Sequence, residues 1–367
     1  MTEDSRIIVT LDAGGTNLVF GALRDARPVG AAVAYPSNSD NLDLCLATIK
    51  RGFREVISSL PEAPAAISFA FPGPADYEHG IIGGYLPNFP SFRDGVPLGP
   101  ILTREFGVPV FINNDGDLFA FGEAKYGALP LLNRRLAEAG SIKRFRNLIG
   151  YTLGTGFGIG VVIDGRLNRG DNSCVETFCL PHGSRPGIMV EEGVAVRAVT
   201  RVYGELSGDI AHALTPKEIC EIADGVRPGN REAALGAFAE LGRTAGGAMA
   251  IAAQLIDGII VIGGGITGAR RHFMPALLAE MRSGLATLRG ESVRRVQMDV
   301  CDLSDESAFA DFARGSMRML PIPGTDEMVP YDDSKRIGVM FSALGASNAI
   351  QAGAYAYAIS RLDAEEA

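Results

Sequence analysis

The feature that most restricts the fold of this chain is a pair of glycine-rich turns, each placed between two apolar segments. The first turn separates Ile7–Leu11 from Leu18–Leu23, and the second separates Leu148–Leu153 from Ile159–Ile163. Aliphatic, β-branched runs bounded by glycine predict strands, so each turn is expected to close a hairpin. The hairpins lie about 140 residues apart, a domain length rather than a solenoid period. We therefore predict an internal duplication in an α/β protein.

Strand and helix signals alternate along the rest of the chain. Apolar positions at helical spacing predict a helix over 41–59, and short apolar runs predict strands at 66–71, 109–113 and 259–262. A helix is expected after the Asn-Asp pair that ends the 109–113 strand. A length of 367 residues exceeds one ordinary core, so we expect two domains.

Composition excludes several classes of protein. The net charge of -9 argues against a nucleic-acid binder, and the short basic run at 143–146 is expected to be a solvated loop. No apolar run reaches the roughly 18 residues that span a bilayer, and the polar N-terminus does not resemble a signal peptide. The odd, scattered cysteines favour reduced thiols. These features predict a cytoplasmic protein that binds neither nucleic acid nor a membrane.

Glycine turns of this kind expose backbone N–H groups and let phosphate oxygens approach closely. For either turn taken alone, a purely structural hairpin is the favoured interpretation. The P-loop pattern G-x-x-x-x-G-K-[ST] is absent, as is a clean G-x-G-x-x-G between a strand and a helix. The order of the features favours a kinase: Asp12 at the first turn, Asn114-Asp115 at a strand end, the second turn, and then a run of three glycines before a helix.

This ordered set resembles the ROK family of sugar kinases (repressor, open reading frame, kinase), within the sugar kinase, actin and heat-shock ATPase superfamily. The resemblance runs from about Ile7 to Met281 and resumes near the C-terminus. The stretches that carry it are LDAGGTN at 11–17, FPGPADYEHGIIGGYLPNFP at 71–90, GVPVFINNDGDLFAFGEAKYGA at 107–128, TLGTGFGIGVVIDGRL at 152–167 and IVIGGGIT at 260–267. It implies an α/β, two-lobed actin-like ATPase (ribonuclease H-like) fold, with mixed sheets flanked by helices and an interlobe cleft that closes on its substrates.

The implied small lobe comprises residues 1–120 and about 340–367, and holds the sugar and the first phosphate turn. The large lobe comprises residues 121–339, with the second phosphate turn and the adenosine site. Residues 284–338 are charged and irregular, so we expect an insertion with its own loops and a single short helix. Many family members form homodimers through the larger lobe, and the sequence leaves that arrangement open here.

On the acceptor side, the resemblance implies that Asp115 is the general base for a sugar hydroxyl. A carboxylate suits this role because phosphoryl transfer asks mainly for positioning and charge neutralisation. Asp115 also precedes a predicted helix, so a helix N-cap is the structural alternative. The implied sugar contacts are Gly73, Asn88, Asn114, Asp115 and Glu176.

On the donor side, the resemblance implies bound ATP with Mg²⁺. Asp12 would orient the Mg²⁺ through water, because this ion keeps its hydration when it meets one carboxylate. The transferred phosphoryl group would meet Gly14, Gly15, Thr16 and Asn17. The remaining phosphates would meet Gly154, Thr155 and Gly156, and the adenosine would border Gly264 and Gly265.

The chain departs from the family at the sugar pocket. The family's E-x-G-H motif matches Glu176, but Cys179 stands in place of the histidine, and the cysteine-rich zinc loop is absent. Cys174, Cys179 and His182 are three loosely spaced candidates where a structural zinc site needs four ligands, so we predict no zinc there. Glu191 or Glu192 is a candidate for the family's second sugar-binding glutamate, although neither is in register.

The prediction is therefore an ATP-dependent carbohydrate kinase that phosphorylates a hexose or hexose-like sugar, with an altered acceptor pocket. The alternative is a catalytically weak or inactive sugar- or nucleotide-sensing relative. Family repressors carry an N-terminal helix-turn-helix, and a first strand at about Ile7 leaves no room for one, so DNA regulation is not expected. An actin-like or heat-shock ATPase is disfavoured, because Asn114-Asp115 indicates a hydroxyl acceptor.

Overall fold

The structure is a computed structural model that describes residues 4–209 and 214–365. The chain divides into two compact units. Unit 1 comprises the described residues of Met1–Gly127, Arg166–Val175 and Ala346–Ala367, and unit 2 comprises those of Ala128–Gly165 and Glu176–Gly345. Within the described ranges, no helix is both long enough and apolar enough to cross a bilayer.

The regular elements are numbered along the chain. The strands are β1 (Ile7–Ala13), β2 (Asn17–Arg24), β3 (Arg27–Pro28), β4 (Val33–Pro36), β5 (Ala66–Ala70), β6 (Ala75–Asp76), β7 (Ile81–Ile82), β8 (Val110–Asn113), β9 (Leu148–Leu153), β10 (Phe157–Ile163), β11 (Arg166–Leu167), β12 (Ile259–Gly263), β13 (Gly284–Ala286), β14 (Ser292–Arg294), β15 (Asp299–Asp302), β16 (Met317–Pro321), β17 (Met328–Asp332) and β18 (Arg336–Phe341). The α-helices are α1 (Leu42–Ser59), α2 (Leu98–Phe106), α3 (Asp115–Lys125), α4 (Ala128–Glu138), α5 (Glu191–Val194), α6 (Val196–Ser207), α7 (Pro216–Ala223), α8 (Arg231–Ile256), α9 (Arg270–Met281), α10 (Glu306–Arg314) and α11 (Ala346–Glu365). Short 3₁₀ helices lie at Pro90–Phe92 and Gly265–Ala269.

Unit 1 is built on a mixed sheet with strand order β3-β2-β1-β5-β8, and β4 pairs with β2. The β1–β2 hairpin is antiparallel, whereas β5 runs parallel to both β1 and β8. Side chains alternate across a strand. Ile7 and Val9 accordingly pack in the cluster that contains Phe53 of α1, while Ile8 packs with Tyr355 of α11. Helices thus cover both faces of this sheet, which explains why Ile7–Leu11 of β1 are all buried.

Helices α3 and α11 approach each other unusually closely. A methyl group built on Gly122 would lie 1.9 Å from the carbonyl oxygen of Ala349, and one on Gly353 would lie 1.8 Å from that of Leu118. Real Cβ atoms do not tolerate such distances, so glycine is required at both crossing points. The contact buries nearly the whole of α3 and places its first residue, Asp115, at a defined position after β8.

Unit 2 contains a sheet with the same pattern of strand directions. Its strands run in the order β10-β9-β12-β18-β15. The β9–β10 hairpin is antiparallel, β12 is parallel to both β9 and β18, and β15 is parallel to β18. An antiparallel hairpin followed by parallel strands is also the arrangement of unit 1, as the predicted duplication requires. Asp164 and Gly165, which follow β10, both have positive φ.

Residues 284–338 hold more regular structure than their charge pattern indicated. They contain the single short helix that was expected, α10, and five complete strands besides. Four of these strands form two separate hairpins, β13–β14 and β16–β17. The remaining strand, β15, lies at the edge of the unit 2 sheet, so this part of the segment belongs to the central architecture.

Candidate functional site

The first glycine turn is held by its own backbone and by Ser37. The N–H of Gly14 donates to the carbonyl of Asn17 at 3.0 Å, and the N–H of Ser37 donates to the carbonyl of Thr16 at 2.9 Å. The hydroxyl of Ser37 also donates to the carbonyl of Gly15. A Cβ on Gly14 would lie 2.9 Å from the Asn17 carbonyl oxygen, so the turn requires glycine there. The side chains of Thr16 and Asn17 remain exposed, as a phosphate-binding turn needs.

Asn88 lies directly against this turn. A Cβ on Gly15 would be 3.1 Å from the Cβ of Asn88. The next residue, Phe89, is fully buried and packs on Phe71 and Phe92, with ring centroids 4.6 Å and 5.8 Å away. This aromatic cluster fixes the segment, so a predicted sugar contact and a predicted phosphate turn come together in unit 1.

Gly73, another predicted sugar contact, lies in the loop that leaves β5. A Cβ there would be 2.8 Å from the hydroxyl oxygen of Tyr77. Tyr77 is buried, and its hydroxyl donates to the carbonyl of Phe71 at 2.9 Å. The tyrosine therefore braces this loop, and any side chain larger than glycine would displace it.

The start of α3 shows which residue is the helix N-cap, the structural alternative to a general base at Asp115. The N-cap residue is Asn114, whose Oδ1 accepts a hydrogen bond from the N–H of Gly116 at 2.7 Å. Asp115 is the first helical residue, and its Oδ1 accepts from the same N–H at 2.9 Å. The N-cap role therefore belongs to Asn114, because the helix begins at Asp115, one residue earlier than a cap at Asp115 would require. The amide NH₂ of Asn114 is the group left for a ligand.

The carboxyl group of Asp115 is electrostatically unusual. It keeps solvent access, yet the surrounding protein removes much of its hydration, which raises its pKa. Hydrogen bonding to Gly116 acts in the opposite direction, and the nearby carboxylate of Asp12 raises the pKa further. Asp12 is the penultimate residue of β1 and is exposed. The exposed carboxylate of Asp12 is a hard oxygen ligand of the kind that suits Mg²⁺, so this residue fits the predicted ion.

The structure adds a charged group that the motifs did not reveal. Arg169 donates to Asn113 Oδ1 at 3.3 Å and to Glu78 Oε2 at 2.5 Å. Asn113 is fully buried at the end of β8, and its Nδ2 has no hydrogen-bond partner. Burial raises the pKa of the Asp117 carboxyl group, and the positive charge of Arg169 opposes this rise. The resulting pKa is about 7. Arg169 lies 56 residues from Asn113 along the chain, so no local pattern could have indicated it.

The second glycine turn, in unit 2, is braced by a glutamate and an arginine. Oε2 of Glu191 accepts a hydrogen bond from the N–H of Phe157 at 3.0 Å. Arg197 donates to the carbonyl of Thr155 at 3.1 Å and pairs with Glu191 at 2.7 Å. The N–H of Gly154 donates to the carbonyl of Gly156 at 3.1 Å. The side chain of Thr155 stays exposed, so its hydroxyl is available to a phosphate.

Both glutamates considered for the sugar pocket are engaged here instead. Glu192 pairs with Arg197 at 2.6 Å, and Glu191 holds the turn itself. A Cβ on Gly156 would lie 3.0 Å from Glu191 Oε2, so the glycine permits this close approach. No local sequence pattern could indicate the hydrogen bond between Phe157 and Glu191, because the two residues are 34 positions apart.

The predicted adenosine glycines lie next to the same turn. Gly264 has a φ of 96°, and a Cβ there would be 2.3 Å from the carbonyl oxygen of Leu153. Leu153 ends β9 and directly precedes Gly154. Gly265 begins a 3₁₀ helix and has open space where a Cβ would lie. The structure thus brings the two predicted nucleotide elements of unit 2 together.

The altered sugar motif also lies in unit 2, whereas the other predicted sugar contacts lie in unit 1. Glu176 is half-buried and raises the pKa of Tyr151, after the larger effect of burial. Cys179 is exposed. His182 is buried, and its Nδ1 accepts a hydrogen bond from the N–H of Ser184 at 3.3 Å. Cys174 belongs to unit 1 and is exposed.

Comparison with known proteins matches residues 8–309 to the ROK family. The crystal structure of a glucokinase from Parabacteroides distasonis is 56% identical, covers 98% of this chain and 99% of that one, and superposes with a TM-score of 0.90. The Thermotoga maritima glucokinase is 30% identical over 164 residues, or 44% of this chain and 46% of that protein. An N-acetyl-D-glucosamine kinase from Vibrio parahaemolyticus is 29% identical over 161 residues, or 44% and 48%.

The chain spans about half the length of these curated relatives, whereas the match to the Parabacteroides structure is nearly complete. The latter confirms the predicted fold class, an α/β actin-like ATPase fold with mixed sheets flanked by helices. A family match that includes both glycine turns, Asp115 and the Gly264-Gly265 pair shows that this chain belongs to the ROK family.

Proposed function

We propose that the protein is a carbohydrate kinase that transfers the γ-phosphoryl group of ATP to a hydroxyl of a hexose or hexose-like sugar. The observation that carries the proposal is the position of Asp115. Its carboxylate stands at the first residue of α3, close to Asp12 and the first glycine turn, while Asn114 takes over the capping of the helix. Family membership and the relatives' kinase names support the same reaction.

On the acceptor side, Asp115 accepts the proton of the sugar hydroxyl as its oxygen attacks the γ-phosphorus. The bond from that phosphorus to the bridging oxygen breaks, and ADP leaves. Asn114, Asn88 and Gly73 orient the sugar, with Glu176 as a further contact. Desolvation raises the pKa of Asp115, which makes its carboxylate a stronger base than an ordinary aspartate.

On the donor side, backbone N–H groups of the two glycine turns hold the phosphates. Gly14, Gly15, Thr16 and Asn17 meet the transferred group. Gly154, Thr155 and Gly156 hold the remaining phosphates, and Gly264 and Gly265 border the adenosine. Asp12 would hold Mg²⁺ through water, and the bound ion would supply positive charge to neutralise the phosphate oxygens.

Glucose is the first acceptor to assay, because the Parabacteroides relative bears the name glucokinase. N-acetyl-D-glucosamine is the second, because of the Vibrio relative. The motif histidine is replaced by Cys179, Glu191 holds the phosphate turn, and Glu192 pairs with Arg197. These differences favour a changed set of hydroxyl contacts. A buried site built for particular hydroxyls discriminates strongly, so a narrow acceptor range is expected.

The test is ADP release by the full chain with MgATP across a panel of monosaccharides. Turnover with one or a few hexoses, abolished in Asp115→Asn, is the expected result. Sugar-independent hydrolysis equal to the rate with every sugar would contradict the proposal. Sugar binding without turnover would favour the sensing alternative, and equilibrium binding of the same panel distinguishes these outcomes.

A further inference from the structure

A second cluster of chemically reactive side chains lies in unit 2, outside the residues assigned above. Cys220 is on α7, Asp224 is its C-cap, and His272 is on α9. Cys220 and Asp224 are four residues apart, so they lie on one face of the helix. One ligand atom from each of the three side chains lies within 4.8 Å of the other two. A thiol, an imidazole and a carboxylate therefore converge on one point.

The geometry of this cluster is close to that of a metal site. Nε2 of His272 is 2.8 Å from Asp224 Oδ1, and the Cys220 sulfur is 3.8 Å from Asp224 Oδ2. Zinc–ligand bonds of about 2.0 to 2.3 Å in a tetrahedron put donor atoms about 3.3 to 3.7 Å apart. Side-chain movements of up to about 1 Å therefore suffice to admit the ion.

The imidazole is preorganised for such a role. The His272 side chain is only 11% exposed, and its ring stacks on Phe238 with a centroid distance of 5.7 Å. The Asp224 side chain is 21% exposed, so the group opens to solvent on the carboxylate side. An ion could enter there, and a water molecule could complete the coordination.

Arg271 occupies the remaining corner of the cluster. Its guanidinium pairs with Asp224 and lies 3.7 Å from the Cys220 sulfur. The same side chain is 56% exposed, so it can swing into solvent at little cost. An ion pair with so exposed an arginine is weak compared with three metal–ligand bonds. Arg271 is therefore a positively charged group that a bound cation can displace from Asp224 and Cys220.

We propose that Cys220, Asp224 and His272 bind one Zn²⁺ ion, with Arg271 displaced and water as the fourth ligand. Thiolate and imidazole ligands favour Zn²⁺ over Mg²⁺, so this site is chemically distinct from the one at Asp12. Binding replaces the thiol proton of Cys220, which is released to solvent. The site joins α7 to α9, and it is independent of the Cys174, Cys179 and His182 group considered above.

The experiment uses the full chain, stripped with a chelator and reloaded with Zn²⁺ or Co²⁺. Elemental analysis after gel filtration gives the stoichiometry. The Co²⁺ form reports a thiolate ligand through its near-ultraviolet charge-transfer band and a tetrahedral site through its visible bands. The variants are Cys220→Ser and His272→Gln, with Cys301→Ser and Cys179→Ser as matched cysteine controls. Circular dichroism of each variant checks that it folds.

We expect one zinc per chain in the wild type and in both control variants. Cys220→Ser should abolish the charge-transfer band, and either ligand variant should weaken zinc affinity by about tenfold or more. Arg271→Gln should tighten zinc binding by up to about fivefold, because the competing ion pair is gone. A wild type without stoichiometric zinc, a charge-transfer band that persists in Cys220→Ser, or loss of zinc in Cys179→Ser would each overturn the proposal.

Discussion

The carboxylate of Glu191 accepts a hydrogen bond, at 3.0 Å, from the backbone N–H of Phe157, the residue that follows the second glycine turn. Arg197 completes the arrangement by pairing with Glu191 and donating to the carbonyl of Thr155. Both side chains can influence nucleotide binding without contacting the nucleotide, because the pair sets the backbone geometry that presents N–H groups to phosphate. Glu191 and Arg197 are thus candidate positioning residues for the donor side.

The first prediction concerns this brace. Glu191→Gln keeps the shape of the side chain but removes its charge, so the bonds to Phe157 and Arg197 weaken. Hydrogen bonds to charged groups contribute about 1.5 to 3 kcal/mol, so we expect kcat/KM for ATP to fall about tenfold or more. The KM for the sugar should change little. Glu192→Gln is the matched control, since Glu192 pairs with Arg197 without contacting the turn; equal effects of the two variants would refute the brace.

The second prediction concerns the base. Asp115→Asn retains a group of the same size but cannot accept the hydroxyl proton, so kcat should fall by about 10² to 10⁴. Nucleotide affinity, measured by calorimetry, should be nearly unchanged. Asp76→Asn is the control, because Asp76 is an exposed acid in the same unit that pairs with His79.

The raised pKa of Asp115 makes a third prediction. Only the ionised carboxyl group accepts a proton, so kcat/KM for the sugar should fall as the pH decreases through that pKa. The acid limb should lie above the pH expected for an ordinary aspartate. Steady-state rates between neutral and acidic pH test this, and a limb at the ordinary value would contradict the effect of desolvation.

Asp117 provides a fourth prediction, on stability. Burial raises its pKa from 3.8 to about 7 in the folded protein, despite the opposing charge of Arg169. The folded state therefore binds this proton more tightly than the unfolded state does, and the stability it contributes is lost as the pH rises from about 4 to about 7. Asp117→Asn lacks this dependence. The unfolding free energy of the variant relative to wild type should increase by about 1 to 4 kcal/mol over that interval.

Chemical denaturation of both proteins at several pH values measures this difference. All other titrating groups are common to the pair, so their contributions largely cancel. A difference that does not vary with pH would show that Asp117 titrates normally in the folded protein.

The fifth prediction concerns the helix crossing that positions Asp115. In Gly353→Ala the new methyl group would overlap the carbonyl oxygen of Leu118, so α11 must move away from α3. Overpacking of this kind costs about 1 to 3 kcal/mol. Thermal unfolding should show the loss, together with a lower kcat. Gly183→Ala is the control, because a Cβ at Gly183 meets no atom within 4 Å.

Part of this account could be predicted from local sequence. Apolar runs bounded by glycine located β1, β2, β9, β10 and β12, because strand periodicity and turn chemistry act over a few residues. The order of Asp12, Asn114-Asp115 and the glycine turns indicated a kinase. The edge strand β15 was not recognised, since an edge position tolerates the charged residues that made its segment look irregular.

What the sequence by itself determined is the set of glycine turns and the acidic strand ends, since both depend on short-range sterics and on residue type. Only the tertiary structure decided which distant side chains contact these turns and strand ends. Glu191 reaches the second turn, Arg169 reaches Asn113, and Asn88 reaches Gly15, because packing of helices and aromatic rings brings together segments far apart in the chain. It also assigned the helix cap to Asn114 and left the Asp115 carboxylate beside Asp12, a choice that depends on where α3 is anchored against α11.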